Sequence, residues 1–239
     1  MIIVQKGRRQ VNQAKPKKDS RITVPDFTLR MQIALDMFPT CRVAADIGSD
    51  HGKLAVALLQ TNACKRVIAT DISAPCLAKA RKAARAYKLE DRMEMRVGNG
   101  LLALSENEVE VAIIAGMGGE LIAQILEEGK EVARPMKALL LQPMQHAARL
   151  RYYLRGHGWR IEDEAICVEG RRVFEWMRVS RGEVDNYPRG LDSLEDGPNV
   201  IDEMGPILFK RRNPISIERL EHRQKIWQRE YEMARRGMS

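Results

Sequence analysis

Four short segments combine carboxylates, amides and glycines in a way that could hold a nucleoside and a flat base. The first is Asp46-Ile47-Gly48-Ser49-Asp50-His51-Gly52, in which Gly48 directly follows an apolar run and lets a ligand approach the backbone. The nicotinamide fingerprint G-x-G-x-x-G fails here at Asp50, and the phosphate loop G-x-x-x-x-G-K-S/T fails because Leu54 follows Lys53. Both absences argue against dinucleotide and triphosphate ligands. Asp71, 23 residues after Gly48, ends a second apolar run, where a carboxylate can accept both hydroxyls of a ribose. Gly98-Asn99-Gly100 offers an amide donor and acceptor to an adenine edge between two glycines that permit close packing. The fourth segment, Ala115-Gly116-Met117-Gly118-Gly119, has three glycines in four residues and leaves room for a flat ring.

These segments need elements to position them, and the hydropathy pattern supplies them. Leu29, Ile33, Ala34 and Met37 have helical spacing, which Pro39 stops. Strands are expected at 43–47, 67–71, 92–97, 109–115 and 137–142, with helices at 54–59, from the N-cap Ser73 to about Tyr87, at 119–129 and at 145–156. Short apolar strands alternating with helices imply a parallel sheet covered on both faces. Strands at 160–168 and 173–179, separated by the turn 169–172, close it with an antiparallel hairpin. The expected fold is therefore α/β and Rossmann-like, with a mostly parallel seven-stranded sheet.

The expected layout is a disordered basic arm (1–26), the α/β domain (27–181), a Gly- and Pro-rich linker (182–213) and a basic amphipathic helical appendage (214–239). That last helix carries Ile217, Leu220, Gln224, Trp227, Tyr231 and Ala234 at spacings of three and four, a seam that should dock on the body or on another chain.

Charge adds a partner class. The chain of 239 residues has 40 Lys and Arg against 32 Asp and Glu, a net +8. Residues 1–25 hold seven bases and one acid, and residues 205–239 nine bases and four acids, so the middle is slightly acidic. Two basic ends point to a polyanion, nucleic acid first, because phosphate neutralisation releases counterions. Aromatic residues make up only 5%, against an all-β core. Cys41, Cys64, Cys76 and Cys167 have no metal-ligand spacing and read as reduced thiols, and no metal is expected. No apolar run approaches the ~20 residues needed to span a bilayer, and the N-terminal order reverses that of a signal peptide, so the expectation is cytosolic.

A glycine at 48, an acid at 71 and a polar residue at 99, on three successive strand ends, match the nucleoside-binding set of class I S-adenosylmethionine methyltransferases. Taken singly, Asp71 could be a helix cap and Asn99 a turn residue. With the fourth segment added, the chain resembles the bacterial tRNA (adenine-22) N1-methyltransferases. The resemblance rests on Asp46 to His51, Gly100-Leu101, Ile114 to Ile122 with its A-G-M-G-G core, Leu141-Gln142-Pro143 and Gly205-Pro206-Ile207-Leu208, and it spans roughly 29–212. The chain departs from the family where Gly52-Lys53-Leu54-Ala55 replaces the usual Ala-Tyr-Leu-Pro continuation, where Asn99 replaces an Asp, and in a shorter C-terminal helical part.

The resemblance implies methyl transfer from S-adenosylmethionine to N1 of a tRNA adenine. It assigns the cofactor to Asp46, Gly48, Ser49, Asp71, Ile72, Asn99, Gly100, Ala115 and Gly116, and the reacting base to Asp50, His51, Gly116, Met117, Gly118 and Gln142. Asp50, His51 or Gln142 could hold the adenine amine. Two alternatives stay open at this level: a class I methyltransferase of proteins or small molecules, and an RNA-binding relative without catalysis. The oligomeric state is left open.

Overall fold

The computed structural model describes residues 22–24, 26–188 and 197–237. The basic arm expected over 1–26 falls almost wholly outside them. Its described end is packed, with Ile22 and Val24 buried in the core and Thr23 bonded through its backbone and hydroxyl to the Gln60 amide. The apolar alternation Ile22-x-Val24 explains the packing, and the core thus includes residues upstream of 27.

Among the described residues the strands β1 (Cys41–Ile47), β2 (Cys64–Asp71), β3 (Met93–Val97), β4 (Val111–Gly118), β5 (Ala138–Gln145), β6 (Trp159–Glu169) and β7 (Arg172–Arg181) form one sheet in the order β3-β2-β1-β4-β5-β7-β6. The first five are parallel, and β7 runs antiparallel to both β5 and β6. Burial on both faces explains the nearly unbroken apolar strands. Ala44, Val111 and Ile113 face one layer, made by α1 (Leu29–Met37), α2 (Lys53–Gln60) and α3 (Ala74–Ala86). Ala45, Ile47, Ala112 and Ile114 face the other, made by α4 (Gly119–Glu128) and α6 (Ala147–Gly156), with the short α5 (Lys130–Ala133) between them in the chain.

The stretch 182–213, expected as a linker, is instead largely built into the body where it is described. Asn186 and Tyr187 are buried, and α7 (Val200–Met204) and α8 (Pro206–Lys210) follow. Its anchors are charged: Asp202 is fully buried, takes a 2.8 Å bond from Arg155 and accepts the Tyr187 hydroxyl at 2.7 Å. The last helix, α9 (Pro214–Gly237), docks among the described residues through its first half, where Ser216 is buried and Arg219 and Arg223 pair with Glu175 and Glu203. Farther along, Ile226, Trp227 and Met233 are exposed, so the expected seam is not buried on the body; the side chains of Tyr231 and Ala234 lie outside the described residues.

Candidate active site

The chain leaves β1 for one face of the sheet and β4 for the other, and this reversal opens a crevice at the carboxyl ends of the two neighbouring strands. A cavity of about 270 Å³ lies there, and Asp46, Gly48, Ser49, Asp50, His51, Ala115, Gly116 and Gln142 all line it. The fold therefore brings eight of the expected site residues to one place.

The loop after β1 bends back onto β2, with the amides of Gly48 and Ser49 both donating to Thr70 O at 2.8 and 3.0 Å. Gly48 has φ +70°, a conformation that favours glycine, and the end of the Met117 side chain packs where a Cβ would stand. Met117 thus packs across the crevice on the first loop. Beneath it, Asp46 is buried and accepts the Ser49 hydroxyl at 2.7 Å. Burial raises its carboxyl pKa to about 6, an effect opposed by the Ser49 and Ala55 hydrogen bonds and reinforced by the Asp71 charge.

Asp71 lies outside the cavity wall but is tied to it. Its Oδ2 accepts Asp50 N at 3.2 Å, and its Oδ1 accepts Ser73 N at 2.8 Å, the latter at the start of α3. A carboxylate has about four acceptor positions, so capping the loop and helix leaves capacity for two ribose hydroxyls. Ile72 beside it is 75% exposed, an aliphatic surface that a purine could cover. Asn99 directs its amide nitrogen to Glu128 at 3.3 Å, leaving its carbonyl oxygen as the group offered to a ligand. Gly100 serves packing: with φ +55°, its Cβ would lie 2.9 Å from Ile125 on α4.

At the floor, β4 bulges against β5 between Ala115 and Gly118. Gly116 adopts φ +81°, and the space where a Cβ would stand is open to 4 Å. Gln142 holds this turn: its Oε1 accepts Gly116 N at 3.2 Å while its Nε2 donates to Pro143 O at 3.0 Å. Gln142 is buried and positions the floor through these two bonds, and the second lone pair of its Oε1 remains an acceptor at the cavity wall. A Cβ on Gly118 would stand 3.6 Å from Gln145 Nε2, an ordinary contact, whereas a Cβ on Gly119 would meet His146 O at 2.4 Å, so Gly119 is needed for close backbone approach. At the rim, His51 Nδ1 and Asp50 Oδ2 are 2.5 Å apart. If Nδ1 carries the proton shared with the carboxylate, Nε2 is left as an acceptor.

Sequence reasoning missed Arg30, Met31, Lys53, Leu54 and Trp176, which complete the cavity wall. Trp176 Nε1 donates to Arg30 O at 3.1 Å, which ties the first helix to the terminal hairpin. Arg30 also lies over the Phe174 ring, 4.7 Å from its centroid. An arginine in the first turn of an amphipathic helix reads as a solvated residue, and no local pattern marks its distant aromatic partner. Among the described residues no group of His, Cys, Asp and Glu is placed to hold a metal ion, and no helix is long and apolar enough to cross a membrane.

The doubly wound sheet with its hairpin, and the crevice between Gly48 and Gly116 with Asp71 behind its first loop, define a methyltransferase domain, and residues 27–177 match the family described by that name. The tRNA (adenine(22)-N(1))-methyltransferase of Bacillus subtilis is 32% identical over 203 residues, which cover 83% of each chain. The crystal structure of the B. subtilis m1A22 tRNA methyltransferase superposes with a TM-score of 0.73 at 30% identity, covering 84% of this chain and 86% of that one. A Streptococcus pneumoniae protein solved in complex with S-adenosyl-L-methionine matches with a TM-score of 0.70 at 30% identity, covering 85% of this chain and 87% of that one. The chain belongs to the tRNA (adenine(22)-N(1))-methyltransferase family.

Proposed function

We propose that this chain methylates N1 of an adenine in tRNA, adenine-22 as in its B. subtilis relative, using S-adenosylmethionine. The observation that carries the reading is the open floor at Gly116, fixed by Gln142 and facing the Gly48 to His51 loop across one cavity. When bound, S-adenosylmethionine supplies an activated methyl group on a sulfonium.

The residues fit that group. Asp71 has acceptor capacity for its ribose, and the buried Asp46 carboxylate, starved of water, favours a cationic neighbour. Gly116 leaves the backbone bare where the reacting groups must meet.

The chemistry asks little of a general base, because the N1 lone pair of adenine is already free. The protein's contribution is to hold N1 in line with the methyl group, exclude water and tolerate the positive charge that develops on the base. N1 lies on the Watson-Crick edge, so the adenine must be unpaired and turned into the cavity. The Nε2 acceptor of His51, oriented by Asp50, suits a hydrogen bond from the exocyclic amine, and Met117 closes the floor against the first loop.

The test is to incubate the protein with unmodified tRNA and labelled S-adenosylmethionine, digest the product to nucleosides, and map reverse-transcription stops. The reading expects 1-methyladenosine and a single new stop at position 22. Label in N6-methyladenosine, or in protein instead of tRNA, would overturn it.

A further inference from the structure

Among the described residues, a cationic surface without internal partners lies on α3, and it leads directly out of the active-site cavity. The helix carries Lys79, Arg81, Lys82 and Arg85 with no acidic residue, and Lys88 follows it. All five are exposed, and none has a side-chain ion pair or hydrogen bond among the described residues. Their spacings of three and four set like charges side by side, which opposes the helix unless an anion covers them. The contrast with α9 is direct: its bases are interleaved with Glu218, Glu221, Glu230 and Glu232, and Arg219 and Arg223 are paired with Glu175 and Glu203.

The geometry connects this surface to the site. A groove of about 390 Å³ between α2 and α3 has Val56, Ala83 and Tyr87 along it and Lys79 and Lys82 at its edge. Its other wall includes His51 and Lys53, which also line the active-site cavity. A second groove, of about 550 Å³, lies on the far side of α3 and is lined by Lys82, Arg81 and Arg85. A polyanion entering the cavity therefore meets Lys53, then Lys79 and Lys82, then Arg81 and Arg85. Lys53 stands in the segment where this chain departs from the family pattern.

We propose that α3 is the track for the phosphate backbone of the RNA beside the target adenine, with Lys79, Arg81 and Lys82 as its principal contacts. This rests on the tRNA-methyltransferase reading above. Phosphates are the occupants the charge selects, and a backbone crossing the helix explains why cations face the grooves on both of its sides.

The test compares wild type with the triple variant Lys79→Ala, Arg81→Ala, Lys82→Ala, all in exposed helical positions that alanine favours. Thermal unfolding and calorimetry with S-adenosylmethionine should match wild type. The KM for unmodified tRNA should rise ten-fold or more with kcat at saturating tRNA unchanged, and the log-log salt slope of tRNA binding should shrink by about 0.7 to 0.9 per lost contact, about 2 to 3 in all. The charge-conserving variant Lys79→Arg, Arg81→Lys, Lys82→Arg should restore both. An active wild type whose KM and salt slope are untouched by the triple alanine change would overturn the track. A wild type that methylates no tRNA would overturn the functional reading itself.

Discussion

Arg151 Nε donates to Glu164 Oε1 at 2.7 Å, and both side chains are completely withdrawn from solvent. The same guanidinium donates to Glu175 Oε2 at 2.5 Å and to Asp202 O at 2.9 Å. Glu164 Oε2 in turn accepts the amides of Ile207 and Leu208 at 2.8 and 3.4 Å. Gly205 fits over this knot because a Cβ there would lie 2.7 Å from both Glu164 carboxylate oxygens. The family-like segment Gly205-Pro206-Ile207-Leu208 is thus the lid on a buried ion cluster.

Removing Arg151 leaves the buried Glu164 carboxylate without a counter-charge, while Glu175 keeps Arg219. Arg151→Met should lower stability by about 3 to 5 kcal/mol, measured by urea denaturation. Adding Glu164→Gln to it should recover part of the loss, since the two charges of that pair then leave together. A single variant as stable as wild type would remove the cluster as a determinant of stability.

Asp71→Ala should weaken S-adenosylmethionine binding by about 1 to 3 kcal/mol, the cost of ribose hydroxyls losing charged hydrogen bonds. Calorimetry reads this directly. Because Asp71 also caps Asp50 N and Ser73 N, Asp71→Asn should retain more affinity than the alanine variant.

The glycines of the floor should separate by role. The Cβ of Gly118→Ala meets only ordinary contacts and should be accommodated, whereas the branched side chain of Gly118→Val should narrow the base slot; turnover of the valine variant should fall a hundred-fold or more with cofactor affinity nearly intact. Gly119→Ala drives a methyl against the His146 carbonyl and should cost about 1 to 3 kcal/mol of stability. Thermal melts and single-turnover assays on the pair distinguish the two effects.

Asp46 should impose a pH dependence of known sign. Its folded pKa of about 6 lies above the ordinary 3.8, so the folded protein retains a proton that the unfolded chain releases. Stability of the ligand-free protein from this group falls as pH rises from about 4 to about 6, by at most about 3 kcal/mol. Asp46→Asn should flatten that fall. Affinity for the cationic cofactor should move the opposite way, rising through pH 6 in wild type and staying level in Asp46→Asn.

The strands were legible because burial on both faces leaves apolar runs such as Val67 to Ala69 and Leu139 to Leu141 that few other settings produce. Their ends were less so: β4 and β5 continue pairing through Met117 with Pro143 and Gly118 with Gln145, where main-chain bonds persist past the apolar run. Gly48, Asp71 and Gly116 could be found because strand ends mark where a ligand sits. The placement of 197–213 could not, since Arg151, Arg155, Glu164 and Asp202 each look solvated until distant parts of the chain bring them together. Arg30 and Trp176 escaped for the same reason, being 146 residues apart and joined by a single hydrogen bond.

The strand order has a consequence for synthesis on the ribosome. β1 is an interior strand of the finished sheet, yet its partner on one side, β4, begins only at Val111, after β2 and β3. Until then the edge from Ala44 to Ile47, which later pairs with Val111 to Ile114, is an open margin with unpaired main-chain groups and apolar side chains on both faces. At ~5 to 20 residues per second that interval lasts several seconds. A backbone edge that is interior in the mature enzyme is therefore a sticky margin in the nascent one, and pauses in translation between Ile47 and Val111 prolong that exposure.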